Sequence, residues 1–459
     1  MPQVLLDLNR TVNGFVWGPP MLVTLVFLGV FLTLRTGFIQ FTRFRLVVRE
    51  TMGSLFRGTG KARGDVSPFM AMAVAMGGTV GVGNIAGVAT AIAAGGPGAV
   101  FWMLVSGVVG MATKYGEVVL GVHYRQRRPG EPMIGGPMMY IVRGMGKRWK
   151  PLASLFAVFG ALAALGIGNM TQAQAVADGM EHFNVPSWLT GLFLIVVVGL
   201  VTVGGIKRIA HVACFIVPFM SGIYILGAGL IILLNAAGIP AVVSMVIKHA
   251  FTPSAAAGGF AGAGVMMAIR KGISRGVFSN EAGLGSAPIA HATAMTDHPA
   301  RQGLWGIFEV FFDTVVMCSA TALVILLTGA WTSGHDGANL TMEGFGRTFG
   351  TNIGFSVVVL CMILTAYDTI LAWCFYGETC SAFLLGHGTV VRTTYRVLWL
   401  PFIMFGALGK LETIWNVSDT LNGLMALPNL IALFALSGVV VKLTRGFLSG
   451  EPYQPPLQQ

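Results

Sequence analysis

Gly77-Gly78-Thr79-Val80-Gly81-Val82-Gly83-Asn84 lies in the middle of an apolar run from Pro68 to Gly95. The run is long enough to cross a bilayer, for which about 20 apolar residues suffice. Four of the eight quoted residues are glycine, and a helix interior loses about 1 kcal/mol per glycine relative to alanine. In hydrocarbon, each carbonyl or amide freed by unwinding costs more still unless something binds it. A membrane helix that invites breakage at its midpoint is most simply one whose freed backbone holds a ligand. Close packing of small residues is the alternative, but it does not account for Thr79 and Asn84 within the run.

The rest of the chain has the composition such a helix requires. Of its 459 residues 54% are hydrophobic and only 10% charged, and the mean hydropathy is +0.75. No soluble globule of this length has that balance, and many apolar runs exceed 18 residues, so the expected class is an all-α polytopic membrane protein. A membrane barrel is excluded because period-2 alternation is absent. The net charge of +11 invites a nucleic-acid reading, yet the Lys and Arg lie in loops between apolar spans, which is how topology is marked. Neither a nucleic acid nor an obligatory protein partner is expected; the partners are the bilayer and a small solute. Cys214, Cys318, Cys361, Cys374 and Cys380 fall in or beside apolar spans without metal-ligand spacing and read as packing residues.

Eleven spans are predicted. The first, Trp17–Leu34, is followed by seven Lys/Arg between Arg35 and Arg63, so it is retained as a span with its N-terminus outside. Pro68–Gly95 then runs outward and Gly98–Val122 returns to a loop, His123–Lys150, with seven more basic residues. Pro151–Gly179, Trp188–Gly204, Ala210–Asn235, Gly272–His291, Leu304–Trp331, Ile353–Leu385, Tyr395–Leu408 and Ile414–Val441 complete the set. An odd number places the C-terminus inside, together with Lys207, Arg208, Arg301, Arg392, Arg396, Lys442 and Arg445. Arg270, Lys271 and Arg275 fall on the outer side and break the rule. Residues 236–271 are therefore read as an outer re-entrant or interfacial segment.

A second interruption, Ser279-Asn280-Glu281-Ala282-Gly283-Leu284-Gly285-Ser286, precedes Pro288. Gly81-Val82-Gly83-Asn84 and Gly283-Leu284-Gly285-Ser286 stand in the first spans of two successive five-span blocks, which must insert with opposite orientation. Paired broken helices at matching positions of inverted halves mark the binding site of a secondary transporter. The expected division is 1–65 for a peripheral first helix and basic loop, 66–235 and 272–443 for the two repeats, and 444–459 for a cytoplasmic tail.

At these residues the chain resembles the alanine/glycine:cation symporters, also called sodium:alanine symporters. The resemblance rests on Gly83-Asn84-Ile85-Ala86-Gly87-Val88-Ala89-Thr90-Ala91-Ile92, on Gly168-Asn169-Met170-Thr171-Gln172-Ala173, and above all on the stretch from Arg275 through Ser279-Asn280-Glu281-Ala282-Gly283 to Ala292. Asp313-Thr314 with Thr321–Leu326, and Trp373 before Tyr376-Gly377-Glu378, extend it over nearly the whole chain. It implies a LeuT-like five-plus-five inverted-repeat fold with one peripheral N-terminal helix, a prokaryotic cytoplasmic membrane, and Na+-driven uptake of alanine or glycine. It also implies a Na+ site made by the Gly77 and Val80 carbonyls, the Thr365 carbonyl, Asp368 and Thr369.

The chemistry of the breaks agrees with an amino-acid cargo. The inner half-helix ends near Thr79 with carbonyls that suit Na+, and the outer half begins near Gly83 with amides that suit a carboxylate. Carbonyls near Val277 to Asn280 suit an ammonium group. Thr79, Gly81, Gly83, Asn84, Ser279 and Asn280 are accordingly candidate substrate contacts. Asp368 is an ionisable group within an apolar span and a functional candidate on that ground. It adds either a fixed charge that tightens Na+ or a titratable group that admits proton coupling; its structural alternative is a carboxylate hydrogen-bonded to a neighbouring helix. By the resemblance, Phe278 and Trp373 cap the side-chain pocket; Asn169, Gln172 and Gln174 crowd one mid-membrane turn, and Gln172 is the best candidate among them for contacting substrate, interhelical hydrogen bonds being the alternative for the other two. Lys114 and Glu117, spaced i,i+3, are expected to pair. Glu281, Glu309 and Asp313 are expected to brace or gate the helices rather than touch substrate, with ion coupling the alternative, and His291 is expected to be structural.

Two other classes were weighed. Gly272-Ile273-Ser274-Arg275-Gly276 fits the G-x-S-x-G nucleophile pattern of an enzyme, but it opens a membrane helix without the strand-to-helix elbow the chemistry needs. A channel calls for a continuous pore, whereas two inverted broken helices favour alternating access.

Overall fold

The computed structural model describes residues 3–55, 63–128, 131–254, 262–386, 388–409 and 412–456. The chain opens with α1 (Gln3–Val16) and α2 (Pro19–Arg35), which together form one apolar span from Asp7 to Arg35. After the short α3 (Phe44–Glu50) comes the quoted stretch, as two half-helices, α4 (Pro68–Thr79) and α5 (Gly83–Gly95), bent by 48°. Four further helices follow: α6 (Gly98–His123), α7 (Lys147–Glu181), α8 (Ser187–Thr202) and α9 (Gly205–Leu234). A short apolar helix, α10 (Ala236–Phe251), leads to the second interrupted element, α11 (Val265–Asn280) and α12 (Ala287–His291). The same succession then repeats with α13 (Pro299–Leu327), α15 (Thr351–Leu385), α16 (Thr389–Leu408) and α17 (Glu412–Ser449). An additional helix, α14 (Gly337–Phe349), stands between α13 and α15.

By length and hydropathy the described residues hold seven spans, or eight with α4 and α5 as one bent span, against the eleven expected. The other three positions are helical but short or polar. α8 and α11 have 16 residues each, and α16 carries Arg392 and Arg396 in its first turns. Of the expected interfacial segment 236–271, residues 255–261 lie outside the described residues. The rest is the helix α10 and the start of α11, which reaches back to Val265. Arg270 and Lys271 therefore belong to the helix of the second break. The expected tail is also shortened, because α17 continues to Ser449.

The burial pattern is that of a bundle in lipid. Leu226, Val203 and Leu233 are each more than 70% exposed, whereas polar groups such as Lys114, Glu117, Glu309 and Asp313 are fully buried. Small residues let the helices touch. A β-carbon on Gly272 would overlap the Ala99 carbonyl, and one on Gly276 would overlap the Ser106 hydroxyl, so α11 lies flush against α6. The G-x-S-x-G pattern is thus a packing face within a helix. Likewise Gly377 makes room for the Tyr395 hydroxyl. Beside it Glu378 holds Arg392 at 2.8 Å and Arg396 at 2.6 Å, clamping α15 to α16. α1 and α2 pack outside this arrangement, on α17 and α6.

Candidate ion and substrate site

The first break occupies Val80 to Val82. The last helical bond of α4 runs from the Val80 amide to the Met76 carbonyl at 2.6 Å, and ψ at Val80 then swings to 85°. Asn84 closes the gap: its Oδ1 accepts from the Gly81 amide at 2.9 Å, and its own amide donates to the Gly81 carbonyl at 3.1 Å. The first turn of α5, Gly83–Gly87, is a wide π turn. One carbonyl it frees, that of Ile85, accepts from Thr341 Oγ1 of α14 at 2.9 Å.

The second break is a pair of glycine turns after α11, with φ 94° at Gly283 and 86° at Gly285, where only glycine sits without strain. Its backbone is held by neighbours. The Gly285 amide donates to Glu117 Oε1 at 2.9 Å, and Asn429 Nδ2 donates to the Gly283 carbonyl at 2.9 Å. The Val277 carbonyl, an expected ammonium acceptor, takes the Glu281 amide at 2.9 Å.

A single carboxylate links the two breaks. Asp313, in a π stretch of α13, accepts from Asn84 Nδ2 at 2.7 Å and from Ser279 Oγ at 3.1 Å. Thr314 beside it accepts from Asn280 Nδ2 at 3.1 Å. The side chains of Asn84, Ser279 and Asn280 therefore engage α13. Thr79 turns toward α13 as well, with Oγ1 3.5 Å from Glu309 Oε1. Their spacing does not disclose this, since the partners lie more than thirty residues away.

Of the expected cation residues, Gly77, Thr365, Asp368 and Thr369 come together on the other side of α4. Asp368 lies so close to Gly77 that a β-carbon there would overlap its carboxylate. Thr369 Oγ1 is 2.8 Å from the Gly77 carbonyl and 2.9 Å from the Thr365 carbonyl. Asp368 is fully buried, and neither carboxylate oxygen has a hydrogen-bond partner among the described residues. Its structural alternative, a bond to a neighbouring helix, is not what the geometry shows. A buried carboxylate without partners is costly unless a cation accompanies it. Asp368, the two carbonyls and the Thr369 hydroxyl form an oxygen-only donor set, which suits a small hard cation. Tyr376, whose hydroxyl is also without a partner among the described residues, stands against Gly78, about two helical turns beyond Asp368 on α15.

A cavity of about 490 Å³ reaches the first break. It brings together Gly83, Gln172 and Phe278 of the expected substrate set. Gln172 donates through Nε2 to the Ile167 carbonyl at 3.0 Å and keeps a free Oε1. Phe278 covers Gly83, and the Arg275 guanidinium lies over the Phe278 ring at 5.4 Å. Trp373 is 1% exposed and does not line this cavity; it packs against Gly168, where any β-carbon would overlap it. Sequence reasoning missed Asp178, Glu181 and the start of α14 as cavity walls. Asp336, which caps α14 through its Oδ1, was the legible signal for that helix.

A second cavity, of about 980 Å³, is lined by Arg125, Arg128, Arg143 and Lys207. α7 starts just after Arg143 and ends at Glu181, so the two cavities open at opposite ends of the bundle. Between them lies a buried charge network that differs from expectation. Lys114 pairs with Glu309 at 3.2 Å instead of Glu117, and His291 Nε2 meets Glu309 Oε2 at 3.0 Å. Glu117 instead accepts from Asn429 Nδ2 at 2.6 Å.

Two interrupted helices, a buried carboxylate without a partner beside the first of them and a cavity reaching that break are the features of a membrane transporter of the LeuT-like fold. The chain belongs to the sodium:alanine symporter family, whose profile matches residues 2–454. It is 44% identical over 448 residues to the sodium/alanine symporter AgcS of Methanococcus maripaludis, covering 96% of this chain and 97% of that one. It is 37% identical over 443 residues to the probable sodium/glutamine symporter GlnT of Bacillus subtilis, with 96% and 90% covered. Among solved structures, MhsT in complex with L-phenylalanine superposes with a TM-score of 0.54 at 11% identity, over 84% of this chain and 99% of that one. At that identity the likeness is one of fold.

Proposed function

We propose that the protein couples the entry of Na+ to uptake of a small neutral amino acid, alanine or glycine, by alternating access. The observation that carries this reading is the buried, unpartnered Asp368 carboxylate against Gly77. In it, Na+ is held by the Gly77, Val80 and Thr365 carbonyls with Asp368 and Thr369. The substrate carboxylate meets the Gly83 amide at the start of α5, Gly81 and Asn84 shape the break through their mutual hydrogen bonds, and the ammonium meets Gln172 Oε1. Thr79, Ser279 and Asn280 take part through backbone groups, since their side chains engage α13 or lie beside it. Phe278 bounds the space for the substrate side chain, and Trp373, outside the cavity, backs Gly168 one turn before Gln172 and limits how far that turn yields to a larger side chain. Residues 66–235 and 272–443 act as the two inverted halves. The basic cavity faces the cytoplasm, which sets the N-terminus outside and the C-terminus inside.

The test uses purified protein in liposomes with an inward Na+ gradient and labelled alanine or glycine. Accumulation above equilibrium that disappears with the gradient supports symport; equilibration alone indicates a channel. Broader specificity is the second reading, favoured by the relative named as a sodium/glutamine symporter; labelled glutamine in the same assay separates the two. Trp373→Ala removes the ring that packs at Gly168. It is expected to let methionine or leucine compete with alanine uptake, and unchanged competition would return Trp373 to a packing role.

A further inference from the structure

At the end of α2 the chain reverses through Gly37 and Phe38, both left-handed, and brings α3 back beside the start of α13 and the end of α17. Three span ends thus enclose a cleft of about 810 Å³. Its walls carry four guanidinium groups, on Arg43, Arg45, Arg49 and Arg301, and one carboxylate, Glu50. Glu50 is occupied: Oε1 lies 3.3 Å from Arg49 and Oε2 lies 2.8 Å from Arg301. Arg301 also pairs with Asp297 at 3.0 Å and lies over the Phe447 ring at 5.6 Å. Arg43 and Arg45 have no acid or hydrogen-bond partner among the described residues. Beside them Phe38 and Phe41 are 46% and 55% exposed, and Leu448 in the cleft wall is 40% exposed.

We propose that this cleft binds an anionic phospholipid, its phosphate paired with Arg43 and Arg45 and its acyl chains lying over Phe38, Phe41 and Leu448. Two free guanidinium groups suit phosphate oxygens, which accept paired N–H donors. Exposed aromatic rings next to them suit the acyl region of the same molecule, and no water-soluble anion uses both. A general preference for basic residues in these loops explains a positive surface. It does not explain why four arginines converge around a single occupied carboxylate with an apolar margin.

Retention of added phosphatidylglycerol or phosphatidylcholine by the detergent-purified full chain, read by native mass spectrometry, tests the site. Wild type should hold phosphatidylglycerol in preference. R43Q/R45Q should weaken that binding by roughly tenfold to thirtyfold, the change expected for two basic side chains near anionic lipid. R148Q/K150Q, which removes exposed charge on another loop, should bind like wild type. Equal binding by R43Q/R45Q and wild type, or an equal loss in R148Q/K150Q, would overturn the proposal. So would displacement of the lipid by inorganic phosphate at the same concentration, which would mark a site that reads phosphate alone. Both arginines are exposed, Arg43 just before α3 and Arg45 in its first turn, and retained alanine uptake by R43Q/R45Q would show that the variant is folded.

Discussion

Asp368→Asn is expected to raise the Na+ concentration for half-maximal alanine uptake by at least roughly tenfold, equivalent to about 1.4 kcal/mol. The asparagine keeps the shape that fills the space over Gly77 and removes the only formal charge among the proposed ligands. Na+ would then face carbonyl, amide and hydroxyl dipoles alone, too weak a set to offset its dehydration. A second readout is independent of transport. In wild type, Na+ at about 100 times its dissociation constant should stabilise the fold by about 2.7 kcal/mol. In Asp368→Asn that Na+-dependent rise in melting temperature should largely vanish, while the Na+-free protein gains stability from losing an unpartnered buried carboxylate. Unchanged Na+ dependence in both measurements removes Asp368 from the cation site. Loss of a pH response with intact Na+ dependence would identify it as a proton carrier.

Lys114→Met should be among the most destabilising single substitutions in the chain, costing about 3–5 kcal/mol. It leaves Glu309 buried with its ammonium partner gone and only His291 and Thr79 nearby. The double variant Lys114→Met with Glu309→Gln should recover much of that loss, because no uncompensated charge remains. Thermal unfolding of the detergent-purified variants decides the matter, with the exposed Lys150→Met as reference. A Lys114→Met protein that melts with the reference would mean that Glu309 finds its compensation elsewhere. Together the two substitutions treat the buried carboxylates as different kinds of group: Asp368 is the proposed seat of a mobile cation, and Glu309 has a resident one in Lys114.

What could be read from the chain alone follows from how local each signal is. The breaks were legible because glycine weakens its own helix, and Gly81 and Gly83 need no partner to do so. The pairing of Thr369 with Gly77 followed from the resemblance, not from spacing. Partner choice across helices was not legible. Glu117 is one turn from Lys114 on the same helix, but α13 brings Glu309 to Lys114 and leaves Glu117 for the amide of Gly285. Asn84 and Ser279 read as substrate ligands because they are polar groups at a break; their hydrogen bonds to Asp313 depend on the depth at which α13 crosses both. α14 escaped notice because a short half-polar helix between two long spans has no hydropathy signature of its own.

The carboxylate of Asp313 has a consequence for how many independent motions the molecule has. Two interrupted helices on inverted halves supply, in principle, two separate hinges. With Asn84 and Ser279 both tied to Asp313 Oδ1, a rotation at one hinge must carry α13 with it or break a bond at the other. The intermediate in which one break has moved and the other has not is therefore penalised, and the pair behaves as a single two-position switch. In the proposed alternating-access cycle, this tie disfavours the half-moved state through which a leak would run.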